Sequence, residues 1–313
     1  MKNNLEIVTI GTASRDWTMV GSEDGPLTWG DKREAESVYE GLGGGAANAA
    51  ITFARFGLKT GLVARLGKDE SGKKIVQNLK SEGIKVFSAW DAKNATALSA
   101  IALNKAGERL VFSHRGASDN LTEKDVPAGA LASDWWYVVP GRITAPIIFK
   151  LMNVALKKGI RLAINPSKSF IHRADFVRRL ADISVLLVNR EEAGMLVNLP
   201  PAADPVAMLR KIPSGVAVIT DGPRGSWAKD NSGIYHVGVF PEKKIADRTG
   251  AGDSFGSAFV ASIIRNKPIT EALRVASANA TSMVETIGAQ TGILRAAQLK
   301  APRWKELTIK KIS

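Results

Sequence analysis

Between residues 135 and 220 the chain alternates short apolar runs with stretches of helical period, and this alternation is its strongest constraint on fold. Strand-like runs fall at 136–139, 161–164, 185–188 and 216–220, with helical segments at 145–157 and 174–181. Strands alternating with helices call for a parallel sheet covered on both faces. Residues 5–10 add a first strand ending at Gly11. Asp16 follows soon after, in the region beyond the strand ends where such sheets bind ligands. Two segments break the alternation. Residues 12–40 lack a helical period but carry Trp17, Met19, Val20, Leu27, Trp29, Val38 and Tyr39. Residues 95–115 read as a hairpin, with strands at 96–103 and 109–113 around a turn at 104–107. Together they predict one small β-sheet, inserted into a single domain spanning 1–313. A second hairpin is expected around 230–233, followed by helices to about residue 264 and over 270–286.

Composition removes several function classes. The 313 residues contain no cysteine and three histidines, which excludes disulfides, thiolate metal sites and cysteine nucleophiles and leaves little for a histidine metal site. That usage, with an N-terminus lacking the signal-peptide pattern, predicts a cytoplasmic protein. No apolar run reaches the ~20 residues needed to span a bilayer, so no membrane partner is expected. The formal charge is +13, yet the basic residues are dispersed, with only short pairs such as Lys73-Lys74 and Lys157-Lys158. A general positive field that attracts phosphorylated ligands accounts for it, and no nucleic-acid partner is expected.

The chemistry concentrates in Asp247-Arg248-Thr249-Gly250-Ala251-Gly252-Asp253. Two glycines open a run of helix formers, so backbone N–H groups and the positive end of a helix dipole point at one spot, as an anion site requires. Asp253 stands in the first turn. A carboxylate there repels phosphate unless it has work to do, such as taking a proton from an attacking hydroxyl. Those residues alone fit equally a tight turn with an acid at a helix start.

Two other glycine-rich stretches look like nucleotide motifs. Gly41-Leu42-Gly43-Gly44-Gly45-Ala46 contains a Gly-x-Gly-x-x-Ala, but it does not directly follow the first strand as a dinucleotide fingerprint must, so a dehydrogenase reading is discounted. Gly67-Lys68-Asp69-Glu70-Ser71-Gly72-Lys73-Lys74 matches a P-loop until Lys74, which replaces the magnesium-binding hydroxyl, and two acids sit inside the loop. It reads as a helix start with Asp69 and Glu70 in the first turn.

In order and spacing, Gly43-Gly44-Gly45-Ala46-Ala47-Asn48-Ala49-Ala50, Gly67-x-Asp69-x-x-Gly72, Asn189-x-x-Glu192 and the stretch 247–253 resemble the ribokinase-like (phosphofructokinase-B) family of carbohydrate and nucleoside kinases, from Gly11 to about Gly292. The resemblance implies a doubly wound, mostly parallel α/β sheet flanked by helices with a small β-sheet lid, ATP as donor, and Mg2+. It implies an acceptor hydroxyl deprotonated by Asp253, with Gly250, Ala251 and Gly252 as the anion hole. Asn189 and Glu192 match the family's magnesium-holding pair. Thr220, Gly222 and Gly225 match the segment along the nucleotide, and Asn279 falls where the family lines its adenine pocket. Asp16, Gly43, Gly44 and Asn48 match positions that bind acceptor hydroxyls.

Arg248 departs from the pattern, standing where many members have a threonine. In members activated by K+, the loop holding Asp247 and Thr249 ligates the ion together with a loop matching 280–288. A guanidinium there either weakens such a site or reaches the nucleotide phosphates. Arg115 follows the hairpin where some members contact the acceptor. The expected activity is ATP-dependent phosphorylation of a primary hydroxyl of a small sugar or nucleoside. The alternative is a non-catalytic sugar- or nucleotide-sensing member acting through a partner. Trp17, Trp29, Tyr39 and Phe112 are candidates for a wall against a nucleoside base, or for lid core or a homodimer surface on the lid.

Overall fold

The computed structural model describes residues 5–21, 29–30, 32–105 and 108–312. Leu27 and the turn tip at 106–107 lie outside them. Among the described residues ten strands form one sheet. Its parallel part comprises β1 (Leu5–Gly11), β4 (Thr60–Gly67), β5 (Lys85–Asp91), β8 (Ser133–Val139), β9 (Arg161–Ile164), β10 (Val185–Asn189) and β11 (Val216–Thr220). An antiparallel edge follows, made of β12 (Ser226–Asp230), β13 (Gly233–Val237) and β14 (Ile309–Lys311). From edge to edge the order runs β14-β13-β12-β11-β10-β9-β8-β1-β4-β5.

The period of two decides what each face buries. In β1, Ile7 packs with Phe53 and Phe259 on one face, whereas Val8 and Ile10 pack with Trp136 and Ile148 on the other. The first face is covered by α1 (Gly45–Arg55), α6 (Ala251–Ile264) and α7 (Ile269–Val284), the second by α3 (Ala145–Lys158), α4 (Arg190–Val197) and α5 (Pro205–Lys211). This is the doubly wound arrangement expected from the alternation. The helix expected at 174–181 is cut short: it covers Ala174–Val177, and a 3-10 turn at Leu180–Asp182 returns the chain to β10.

The two interruptions pair with each other. A four-stranded sheet joins β2 (Ser14–Gly21), β3 (Ala35–Gly43), β6 (Ala97–Leu103) and β7 (Arg109–His114) in the order β3-β2-β6-β7, with β2 and β6 parallel. Its base is fastened to α2 (Glu70–Ser81). Asp69 caps α2 by accepting from the Gly72 N–H at 2.8 Å, and it also accepts from the Thr96 N–H and hydroxyl, each at 2.7 Å. The stretch that mimics a P-loop is therefore a helix cap that anchors the lid.

Candidate active site

The site lies beyond the carboxyl ends of the parallel strands, where α1 and α6 begin side by side. Gly250 caps α6 in the left-handed region, with φ 77°, and the first intrahelical bond runs from the Ser254 N–H to the Gly250 carbonyl at 2.8 Å. The N–H groups of Gly252 and Asp253 precede that bond and have no helical partner, which is the arrangement that receives an anion. Gly252 itself has no positive φ, and a Cβ built on it meets no atom within 4 Å. The backbone does not require glycine there, and the space in front of it is open.

That space belongs to a cleft of about 280 Å³ whose walls include Thr220, Gly222, Gly225, Ala251 and Gly252. The structure thus brings together the residues matched to the nucleotide segment and those matched to the anion hole. Asn279 is corrected. Its side chain is fully buried, donating to the Ser254 carbonyl at 2.9 Å and accepting from the Leu294 N–H at 2.9 Å. Its α7 neighbours Ser277, Ala280 and Thr281 line the cleft instead, because the helical period turns residue 279 away from it. Two arginines also reach this cleft, Arg248 from the loop before α6 and Arg109 from the lid.

On the other side of Asp253 stand the residues matched to the acceptor. Asn48, in the first turn of α1, donates from Nδ2 to Asp253 Oδ2 at 3.0 Å. Asp16, on β2, accepts from the Ser14 hydroxyl at 3.0 Å, and its carboxylate rests on Gly43, where a Cβ would overlap Asp16 Oδ2. Gly44 caps α1 with φ 91°, and a Cβ there would come 2.5 Å from the Thr12 carbonyl oxygen. Gly45 is wedged between Val139 and Asp253. Burial pushes the Asp253 carboxyl above the ordinary aspartate range, the Asn48 amide pulls it back, and the negative charge of Asp16 pushes it up again. Asp16 is raised in the same way, by burial first, against its bonds to Ser14 and Ser99. Beneath Asp253 the Tyr137 phenol is buried and held neutral by that burial and by the Asp253 charge. Gly256 makes room for it, since a Cβ there would come 2.9 Å from the phenol oxygen.

Asn189 and Glu192 form a capping box at the start of α4: Asn189 Oδ1 accepts from the Glu192 N–H, and Glu192 Oε2 from the Asn189 N–H, both at 2.9 Å. Burial raises the Glu192 carboxyl, partly offset by the Asn189 N–H. Asp247 is fully buried and braces two loops, accepting from the Thr249 N–H at 2.8 Å and the Gly288 N–H at 3.1 Å. The Thr249 hydroxyl is buried without a hydrogen-bond partner among the described residues.

Sequence reasoning missed Gly45, Tyr137, Arg109 and Gln290. Gly45 lies inside a motif that was read. The others carry no local signal, because only the fold brings them to the site.

The fold and this two-sided site define a phosphotransferase, and the comparisons agree. Residues 4–296 match the pfkB family carbohydrate kinase model, and the chain belongs to that family. The ribokinase of Schizosaccharomyces pombe is 25% identical over 92% of this chain and 95% of its own length. A bifunctional ribokinase/ribose-5-phosphate isomerase A from Fructilactobacillus sanfranciscensis is 27% identical over 80% of this chain, a match covering 47% of that relative. Among solved structures, the nucleoside kinase of Methanocaldococcus jannaschii superposes with a TM-score of 0.80 at 20% identity, over 96% of this chain and 98% of its own. The protein is an ATP-dependent kinase of the carbohydrate and nucleoside class. Among the described residues no helix is long and apolar enough to cross a membrane.

Proposed function

We propose that the protein phosphorylates a primary hydroxyl of a small sugar, or of a nucleoside's ribose, in the cytoplasm, with Asp253 as general base. The observation that carries this reading is the open space before Gly252, set between unpaired N–H groups and a carboxylate that Asn48 orients. Asp253 takes the proton of the acceptor hydroxyl as its oxygen bonds to the γ-phosphorus, and the bond from that phosphorus to the ADP oxygen breaks. The N–H groups of the anion hole, with Gly250, Ala251 and Gly252 shaping it, stabilise the charge on the moving phosphoryl group. Asp16, Gly43, Gly44 and Asn48 hold the acceptor's other hydroxyls, since neighbouring carboxylate and carboxamide groups each take or share two hydroxyl bonds.

Thr220, Gly222 and Gly225 would lie along the nucleotide. Among the described residues no cluster of three or more acidic, histidine or cysteine side chains forms a metal cage. This suits magnesium, which is held largely by substrate phosphates with one or two protein groups. Asn189 and Glu192 are positioned to supply them, one Glu192 oxygen having no hydrogen bond among the described residues. Magnesium would neutralise charge on the phosphates. The buried Asp247 carboxylate and the unpartnered Thr249 hydroxyl suit a monovalent cation such as K+.

A homodimer through the lid is part of the same reading. Strand register puts Trp17, Met19, Val38, Leu110 and Phe112 on one face of the lid, the face away from Asp16, and all five are exposed. For Trp17 and Phe112 this register supports the lid-surface reading over the base wall, since neither shares a face with Asp16. The test of the catalytic reading is Asp253→Asn, assayed for ADP release with a panel of sugars and nucleosides. It should keep the fold and nucleotide affinity while kcat falls by ~10²–10⁴, the usual worth of a positioned base. Retained turnover removes Asp253 from that role.

A further inference from the structure

We propose that Gln290 is a positioning residue for the base, holding the Asn48 carboxamide in the one orientation that donates to Asp253. The inference rests on the reading of Asp253 given above. Three consecutive residues in the loop after α7 each touch a different part of the catalytic apparatus. The Gly288 N–H donates to Asp247. Ala289 packs on Gly250, where an added Cβ would come 3.0 Å from the Ala289 carbonyl oxygen. Gln290 donates from Nε2 to Asn48 Oδ1 at 3.0 Å, and Asn48 Nδ2 in turn donates to Asp253 Oδ2 at 3.0 Å.

A carboxamide has a donor end and an acceptor end, whereas an ionised carboxylate only accepts. With the Gln290 amide nitrogen on one side, Asn48 is satisfied at both ends only when its own nitrogen faces Asp253. A flip would set two oxygens against each other and two nitrogens against each other. The backbone of Gln290 is pinned to the same helix. Arg55, two turns along α1 from Asn48, donates from Nη1 to the carbonyls of Gln290 at 3.1 Å and Ile293 at 2.8 Å, and its Nη2 donates to Glu82 at 2.6 Å. Gln290 is thus fastened to α1 at both its main chain and its side chain.

The groups acting on the Asp253 carboxylate are Asn48 from α1, the negative Asp16 from β2 and the neutral Tyr137 phenol from β8. Among the described residues only Asn48 donates a hydrogen bond to it. If Asn48 loses its orientation, burial and Asp16 act unopposed and the protonated, inactive form gains.

The experiment follows the carboxyl carbon of Asp253 by NMR in protein labelled at aspartate, the signal being identified as the one missing from Asp253→Asn. It is titrated in the parent, Gln290→Leu and Gln290→Glu, alongside kcat/KM against pH. Gln290→Leu should move the Asp253 midpoint to higher pH, and Gln290→Glu further, because a glutamate draws the Asn48 nitrogen to itself. The acid limb of kcat/KM should follow, with kcat at pH 7 down about ten-fold, the scale of one hydrogen bond to a charged group, and KM for ATP unchanged. A midpoint that stays put in both variants overturns the inference, whatever happens to melting temperature or turnover. If Gln290→Leu does not fold, the nearly isosteric Gln290→Glu decides alone. If the parent phosphorylates no acceptor yet its Asp253 titration responds to Gln290, the positioning role stands and the kinase reading fails.

Discussion

The two glycine-rich helix starts look alike in sequence and are built for opposite purposes. At α1 the three glycines at the helix start are hemmed in by protein: Gly43 by the Asp16 carboxylate, Gly44 by the Thr12 carbonyl, Gly45 by Val139 and Asp253. At α6 the capping Gly250 supplies the positive φ and touches Ala289, while Gly252 faces nothing. Glycine at α1 lets the chain pack against itself so that Asp16 and Asn48 converge on Asp253. Glycine at residue 252 borders open space, which the proposed function assigns to the phosphoryl group.

The largest effects should come from filling each kind of space. Gly252→Val places a branched side chain in the open space where the proposed function has the phosphoryl group arrive. It should cost turnover by ~10²–10³, the scale of losing an oxyanion-hole donor, while stability changes by about 1 kcal/mol or less. Gly44→Ala should do the reverse, since it combines a left-handed backbone with a 2.5 Å approach to a carbonyl oxygen. A loss of several kcal/mol in denaturant unfolding is expected, as overpacking and backbone strain add. If Gly252→Val unfolds the protein and Gly44→Ala leaves it stable but inactive, the assignment of the two loops is inverted.

Much of this was legible beforehand. The parallel sheet follows from the alternation of short, mostly apolar runs with helical stretches, and the pairing of the two interruptions from their shared β pattern. Asp253 with its loop, and Asn48 with Asp16, were readable because glycine runs and nearby polar residues are local signals. Asn279 was misplaced because a one-residue step on a helix rotates a side chain by about 100°, and the motif did not say which α7 residue faces the cleft. Gln290 was invisible for another reason: it is joined to Asn48 only by the folding of a loop 242 residues away. For Trp17 the sequence left a base wall, lid core and a dimer surface open, and strand register, which sets Trp17 and Asp16 on opposite faces of one strand, favours the last.

A smaller effect sharpens the contrast between the loops. The α6 start has a cation beside the proposed anion hole, because Arg248 lines the cleft in front of Gly252 and its guanidinium makes no ion pair among the described residues. The α1 start, on the proposed reading, meets the acceptor's hydroxyls instead. Arg248→Thr should therefore raise KM for ATP by about ten-fold, the worth of one charge-assisted contact to phosphate, and leave KM for the acceptor unchanged. Measured with and without K+, the same variant asks whether the guanidinium competes with a monovalent cation near Asp247. Unchanged KM for ATP means that Arg248 points past the phosphates.

The smallest effect on catalysis is expected from the lid's far face, and it tests whether the acceptor side ends at Asp16. On β2, Asp16 is buried while its neighbour Trp17 is 47% exposed, and Phe112 joins Trp17 on the outer face through the shared partner Ala100. With the acceptor on the Asp16 face, as proposed, a side chain there does not meet the acceptor of its own subunit. An exposed apolar face on one small sheet is instead a surface to be covered, and the proposed cover is a second copy of the chain. Trp17→Ala together with Phe112→Ala should therefore weaken self-association in sedimentation by at least ten-fold, since aromatic residues at interface centres commonly contribute 2 kcal/mol or more. Turnover per subunit at saturating substrate should change by less than about three-fold. A selective loss of nucleoside over sugar phosphorylation, with self-association intact, would instead mean that the lid folds over far enough to bring its outer face to the acceptor.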